Sequence, residues 1–250
     1  MSNSFFQFKQ FIIRHDRCSM KVGTDGVLLG AWAPLGNLRS GARVLDIGTG
    51  SGLIALMLAQ RYLYATVEGI DINADAVSQA KENILASPFA DRCTAYCCGL
   101  HDFTLSVSED CTPSRLLYDA IVCNPPFFEE SLLPTDIGRR DARHTISLPY
   151  EVLVHDSAQL MHEGARFAVI LPTSSFESFH HLCFAKGLYL VARCIVVTAP
   201  GKPSKRTLVC YCKGEPKAGT QIRVDEETLT LMTDGKRSSA YTTLTRDFYL

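Results

Sequence analysis

The 250-residue chain predicts an α/β fold, a doubly wound and mostly parallel sheet of seven strands with helices on both faces and the last strand antiparallel. Three observations carry this. Short apolar runs alternate with longer amphipathic stretches from about residue 43 to residue 213, which is the rhythm of βαβ units. The first apolar run ends in a glycine turn, GTGSG at 48–52, that leads straight into a helical pattern. The last two runs are joined by TAPGKPSK (198–205), too short and too rich in Pro and Gly to hold a crossover helix, so they pair antiparallel.

The elements follow in order. RVLDI (43–47) reads as a strand, GLIALMLAQRY (52–62) as a helix, TVEGID (66–71) as a strand, and ADAVSQAKENILA (74–86) as a helix with Asn73 as its N-cap. Strands follow at CTAYCC (93–98) and YDAIVC (118–123). After them come a helix over 150–162, a strand over RFAVIL (166–171), a helix over 174–187, and strands at 188–197 and 206–212. Ahead of this core (41–213) lies an arm with a helix containing GVLLGAW (26–32), together spanning 1–40. Behind it lies a polar extension, 214–250, and the whole is expected to form a single domain.

Composition narrows the classes. With 46% hydrophobic and 20% charged residues the chain can bury one sizeable core. The N-terminal MSNSFFQFKQFIIRHDR has no apolar stretch of signal-peptide length, and no window reaches the roughly 18 to 20 apolar residues of a membrane span. The expectation is a soluble, cytoplasmic protein with no membrane partner. Ten cysteines sit mostly in apolar stretches and none forms a C-x-x-C pair, so free thiols and no metal are expected; the Cys93, Cys97, Cys98 group beside His101 reads as a core strand. A formal net charge of −1 gives no polyelectrolyte signal, so any nucleic-acid contact rests on local patches.

The turn places Gly48, Gly50 and Gly52 between a strand and a helix, where missing Cβ atoms let the backbone approach a ligand. A dinucleotide fingerprint needs a third small residue where this chain has Leu53, so a pyrophosphate is not specified. Asp46, two residues before the first glycine, would repel phosphates and suits a ligand with a positive group. Asp71, at the end of the second core strand and followed by Ile72, is where a ribose diol is hydrogen-bonded. Together these resemble an S-adenosylmethionine site, with Asp46 toward the amino-acid ammonium or a bridging water, the glycines as its floor, Asp71 and Ile72 at the ribose end, and Asp102 toward the adenine.

Strand YDAIVC ends in Asn124-Pro125-Pro126-Phe127. Proline fixes its own φ and biases its predecessor to extended geometry, so Asn124 and the Pro125 carbonyl become a rigid pair of acceptors. Such acceptors suit a planar amine whose lone pair is delocalised into a ring or carbonyl; taking its two N–H hydrogens helps it pyramidalise toward a methyl donor. Phe127 then offers a face for a flipped base and Phe128 a pocket wall. NPPF resembles the motif of amino methyltransferases acting on adenine N6, guanine N2 or the glutamine side-chain nitrogen, and the strand pattern resembles the class I methyltransferase fold.

The stretch MKVGTDGVLLGAWA (20–33), together with the glycine turn, CNPPFF and RRDARHT (139–145), resembles the family of tRNA1(Val) adenine N6-methyltransferases across roughly residues 7 to 213. The resemblance implies S-adenosylmethionine as cofactor and, as partner, tRNA contacted at the anticodon arm rather than DNA. It also implies a segment holding Lys21, Thr24 and Asp25 that folds over the cofactor. Arg139, Arg140, Arg143 and His144 are candidates to hold phosphates beside the pocket, as are Lys202, Lys205 and Arg206, although Asp136 and Asp141 interrupt the first patch. Two rivals stay open: a protein-glutamine methyltransferase, for whose extra helical domain the first 40 residues leave little room, and a catalytically silent nucleotide-binding module or oxidoreductase, which leaves NPPF unexplained.

Overall fold

Continuous apolar strands require cover on both faces, and the computed structural model, which describes residues 4–18, 20–109, 117–126, 148–214 and 223–250, provides it. The core strands are β3 (Arg43–Ile47), β4 (Thr66–Asp71), β5 (Cys93–Cys97), β6 (Tyr118–Cys123), β7 (Met161–Pro172), β8 (Leu188–Val197) and β9 (Arg206–Lys213). Alternate residues along them feed two apolar clusters. Val44, Val67, Ala120, Val122, Ala168 and Ile170 face one side, with α1 (Thr24–Trp32), α2 (Leu53–Arg61) and α3 (Ala74–Leu85). Leu45, Ile47, Ile121, Cys123, Phe167, Val169 and Leu171 face the other, with α4 (Leu100–Glu109), α5 (Tyr150–Leu160) and α6 (Phe176–Ala185).

With a further strand, β10 (Asp225–Thr230), at one edge, the strands lie in the order β10-β8-β9-β7-β6-β3-β4-β5. From β3 the chain winds outward through β4 to β5, then returns to β6 on the other side of β3 and winds away through β7. The strand order therefore reverses between β3 and β6, the place where open α/β sheets bind ligands beyond their carboxyl ends. Only β9 runs against the rest: it pairs antiparallel with both β7 and β8, as the short 198–205 connection predicts.

The structure adds elements that the sequence reading lacks. The main sheet has eight strands rather than seven, because the polar extension supplies β10 (Asp225–Thr230), parallel to β8 at the sheet edge. An edge strand buries little; along β10 only Leu229 is buried, so its sequence DEETLT carries no apolar run. The segment after β5 is the helix α4, and the N-terminal arm contains an antiparallel hairpin of β1 (Phe5–Gln7) and β2 (Ile12–Arg14). Beyond β10 lie a second hairpin, β11 (Met232–Thr233) with β12 (Lys236–Arg237), and α7 (Ser239–Thr245). Among the described residues no helix is long and apolar enough to cross a membrane.

Candidate active site at the switch point

The glycine turn after β3 holds Gly48, Gly50 and Gly52 at φ 71°, 54° and 80°, the left-handed region that side chains with a Cβ disfavour. This backbone lets the turn fold back on β4: Gly48 and Thr49 N–H both donate to Ile70 O, at 2.9 and 3.0 Å. Gly69 is part of the same fit, since a Cβ there would stand 2.6 Å from Thr49 Oγ1.

Asp46 is fully buried beneath the turn. Its Oδ2 accepts from Thr49 Oγ1 at 2.8 Å and from the Ala55 N–H at 3.2 Å, while its Oδ1 has no partner. Burial pushes its pKa up to about 7, against the pull of those two bonds. Asp71 is half-buried at the end of β4. One of its oxygens accepts from the Gly50 N–H and the other from the Asn73 N–H, each at 2.9 Å, so this carboxylate ties the strand end to the glycine turn. Asn73 caps α3 as expected, accepting from the Asp75 and Ala76 N–H groups.

Ile72 and Asp102 meet over Gly99. A Cβ on that glycine would stand 3.6 Å from both Ile72 Cγ2 and Asp102 Oδ2, so the two side chains flank a bare stretch of backbone between β5 and α4. Ile72 is an exposed large hydrophobic group there. His101, next to Asp102, faces Asp156 of α5 at 3.2 Å rather than any thiol; of its neighbouring cysteines only Cys93 is buried. Among the described residues no three His, Cys, Asp or Glu side chains are placed to hold a metal.

On the other side of the switch point Ile47 pairs with Cys123, so Asn124 leaves the sheet beside Gly48. Pro125 is buried and Pro126 exposed. The Asn124 Oδ1 atom is buried without a hydrogen-bond partner. A buried acceptor left open costs about 1–3 kcal/mol, so an incoming N–H donor would gain that back. Thr24 opens α1, whose packing on α2 brings Gly26 against Leu53 at the glycine-turn end. Lys21 is exposed just before it, and Asp25 binds Arg206 Nε at 2.8 Å. Phe127, Phe128, Arg139, Arg140, Arg143 and His144 lie outside the described residues.

Two positions passed over in the sequence belong to the site. Thr49 is an unremarked letter within GTGSG, yet its hydroxyl holds Asp46. Asn83 lies deep in α3, 2% exposed. Its amide donates to Ser51 O and Arg14 O and accepts from the Arg14 N–H, at 2.8, 2.8 and 3.0 Å, so it joins the glycine turn to the N-terminal hairpin. An asparagine on the buried face of an amphipathic helix was the available signal.

Residues 29–140 match the family described as "Methyltransferase small domain". The tRNA1(Val) (adenine(37)-N6)-methyltransferase of Bacteroides fragilis is 44% identical, with 100% of this chain and 99% of that protein covered. The protein of the same name from Pectobacterium carotovorum is 40% identical over 98% of this chain and 93% of its own. Among solved structures, a predicted O-methyltransferase of Agrobacterium tumefaciens superposes with a TM-score of 0.66 at 17% identity, covering 90% of this chain and 96% of that one. A geranyl diphosphate methyltransferase in complex with S-adenosylmethionine superposes with a TM-score of 0.51 at 13% identity, covering 76% and 84%. Those two likenesses show the class I fold. The full-length relatives show more: the chain belongs to the tRNA1(Val) (adenine(37)-N6)-methyltransferase family.

Proposed function

We propose that this chain transfers a methyl group from S-adenosylmethionine to the N6 amine of an adenosine in tRNA, the adenosine at position 37 beside the anticodon of tRNA1(Val). The observation that carries the reading is the open Asn124 acceptor at the switch point, beside a glycine turn that covers a buried carboxylate with one unpartnered oxygen. Membership of a family whose relatives bear that activity in their name supports the substrate. A tRNA substrate also suits a cytoplasmic location.

The residues present fit the cofactor. S-adenosylmethionine, when bound, supplies an electrophilic methyl group on a sulfonium. Asp46 has an oxygen free for the amino-acid ammonium or a water that bridges to it. Asp71 would receive the ribose hydroxyls, Ile72 and Asp102 would flank the adenine, and Gly48, Gly50 and Gly52 would form the floor. Lys21 and Thr24 belong to the segment that closes over this end. Asn124 Oδ1 and the Pro125 carbonyl accept the two N6 hydrogens of the target adenine, while Pro126 keeps the chain rigid. Accepting those hydrogens would draw the nitrogen lone pair out of the ring and turn it toward the methyl donor, with the amine proton released to solvent. Phe127 and Phe128 stack on and enclose the base, and Arg140 and Arg143 hold phosphates beside it.

The test is methyl transfer from labelled S-adenosylmethionine to total tRNA, total protein and duplex DNA side by side, with mass spectrometry of the tRNA nucleosides. Label in tRNA as N6-methyladenosine is expected. Label in protein alone would replace this reading with a protein-glutamine methyltransferase.

A further inference from the structure

The C-terminal extension places cations on the catalytic edge of the sheet. Strand β8 runs with the core strands, so its end at Val197 lies on the carboxyl edge, and the turn 198–205 projects there before β9 begins at Arg206 opposite Pro172. Strand β10 is parallel to β8, with Thr230 opposite Val197, so the β11–β12 hairpin projects from the same edge.

The two turns are fastened together and to the site. Leu231 N–H donates to Val197 O at 2.9 Å and Met232 N–H to Thr198 O at 3.0 Å, setting the hairpin against the 198–205 turn. Thr173, just past β7, donates its N–H to Lys205 O at 3.2 Å, and its hydroxyl lies 2.8 Å from Ser204 Oγ. Strand β7 is the direct neighbour of β6, which carries Asn124. From β6 across β7, β9 and β8 to β10 are four inter-strand steps, about 19 Å at about 4.8 Å each.

Both turns are basic, and the hairpin turn is tight. Asp234 and Gly235 have φ of 51° and 74°, the paired left-handed residues of a tight hairpin turn, and the hairpin sets Lys236 opposite Thr233 and Arg237 opposite Met232. The guanidinium of Arg237 stacks 4.3 Å from the Tyr249 ring centroid, which holds its position and leaves its charge in place. The segments TAPGKPSK and LMTDGKRS carry Lys202, Lys205, Lys236 and Arg237 against the single carboxylate Asp234. Among the described residues, none of these four cations lies within ion-pair distance of a carboxylate, whereas Arg206 beside them is bound to Asp25. Glu177, in the first turn of α6, is an exposed acid on the element that follows Thr173.

We propose that the 198–205 turn and the β11–β12 hairpin form one ridge that grips the phosphate backbone of the tRNA substrate, which makes the C-terminal extension an RNA-docking element. The proposal rests on the tRNA reading above. Four cations without a carboxylate partner among the described residues, carried by two joined turns on the edge where Asn124 emerges, suit a ribose-phosphate backbone, whose contacts set position and register while the pocket reads the base. It also explains how a chain of near-neutral charge holds a polyanion: the positive charge is local, and it lies on the edge of the sheet from which Asn124 emerges.

The experiment reverses Lys202, Lys205 and Lys236 to Glu, singly and together, with Lys81→Glu on the exposed face of α3 as a control for charge. It measures KM and kcat for tRNA, the affinity for S-adenosylhomocysteine, and the salt dependence of tRNA binding. The triple variant is expected to raise KM for tRNA by about tenfold or more and to flatten the slope of log affinity against log salt by roughly 0.7–0.9 for each phosphate it no longer neutralises. kcat and cofactor-product affinity should stay within about twofold, and Lys81→Glu should resemble the parent. An unchanged KM and slope in the triple variant, or an equal loss in Lys81→Glu, overturns the ridge while the tRNA activity stands. A parent chain that neither binds nor methylates tRNA overturns the substrate reading itself.

Discussion

Two neighbours set Asn124: β6 fixes where it emerges and Pro125 biases its backbone to extended geometry. Its orphaned Oδ1 has no structural job among the described residues, so removing it should not unsettle the fold. Asn124→Ala is expected to lower kcat by about 100-fold, the scale of losing one oriented polar contact in a transition state, while affinity for S-adenosylhomocysteine changes little. Single-turnover rates set beside calorimetry check it, and preserved turnover would remove Asn124 from the chemistry. Asp46 gives a different signature. Its pKa, ordinarily near 3.8, is raised by burial to about 7. A carboxyl group raised in the folded state stabilises fully at acid pH and loses that contribution as pH climbs from about 4 through 7. The melting temperature of the parent should therefore fall, relative to Asp46→Asn, across that window. A bound ammonium favours the ionised carboxylate, so affinity for S-adenosylhomocysteine should climb as pH rises toward 7 and level off above it. A gap between parent and variant that is flat with pH would mean that Asp46 stays ionised throughout.

At the scale of elements, the site is assembled by buried polar joints that no periodicity announces. The alternation of strands and helices was readable because apolar residues recur at periods of two and 3.6, and the NPPF and glycine motifs were readable because Pro and Gly act locally. Thr49, Gly69 and Asn83 act across elements instead. Gly69 looks like a weak point in a strand until the Thr49 side chain is seen to occupy the place of its Cβ. Asn83 looks like an ordinary helix residue until Arg14 and Ser51 come to it from 69 residues and 32 residues away. Asn83→Leu keeps the branched shape and removes the bonds, leaving the Arg14 N–H and two carbonyls without the Asn83 amide. The expected cost is about 2–3 kcal/mol, or a melting temperature lower by about 5–10 °C for a chain of this size. Because Ser51 belongs to the glycine turn, cofactor-product affinity should fall as well; a loss of stability with affinity intact would confine Asn83 to packing.

For the whole molecule, the question is whether residues beyond 214 are an appendage, as their polar composition suggests, or part of the body of the protein. The packing answers for the body. Leu229, Tyr241 and Phe248 are buried in the same apolar cluster as α1 and α2. Trp32 Nε1 donates to Glu227 at 2.7 Å, the Lys9 N–H to Phe248 O at 2.8 Å and Gln60 Nε2 to Asp247 O at 2.7 Å, so the last residues close over the N-terminal hairpin and the end of α2. Burying each of three large side chains contributes about 1.5–3 kcal/mol, and their sum is comparable with the roughly 5–15 kcal/mol that holds a typical domain folded. Truncation after residue 222 would also strip β10 from β8 and leave an unpaired edge on an apolar sheet, which invites association. The truncated chain is therefore expected to lose its cooperative melt or to melt far below the parent, and to aggregate, whereas the Lys202, Lys205 and Lys236 reversals leave the melt unchanged. Scanning calorimetry of both, with light scattering of the truncated chain, separates these outcomes. A truncated chain that melts with the parent would return the extension to the rank of a tail and leave the ridge without a rigid support.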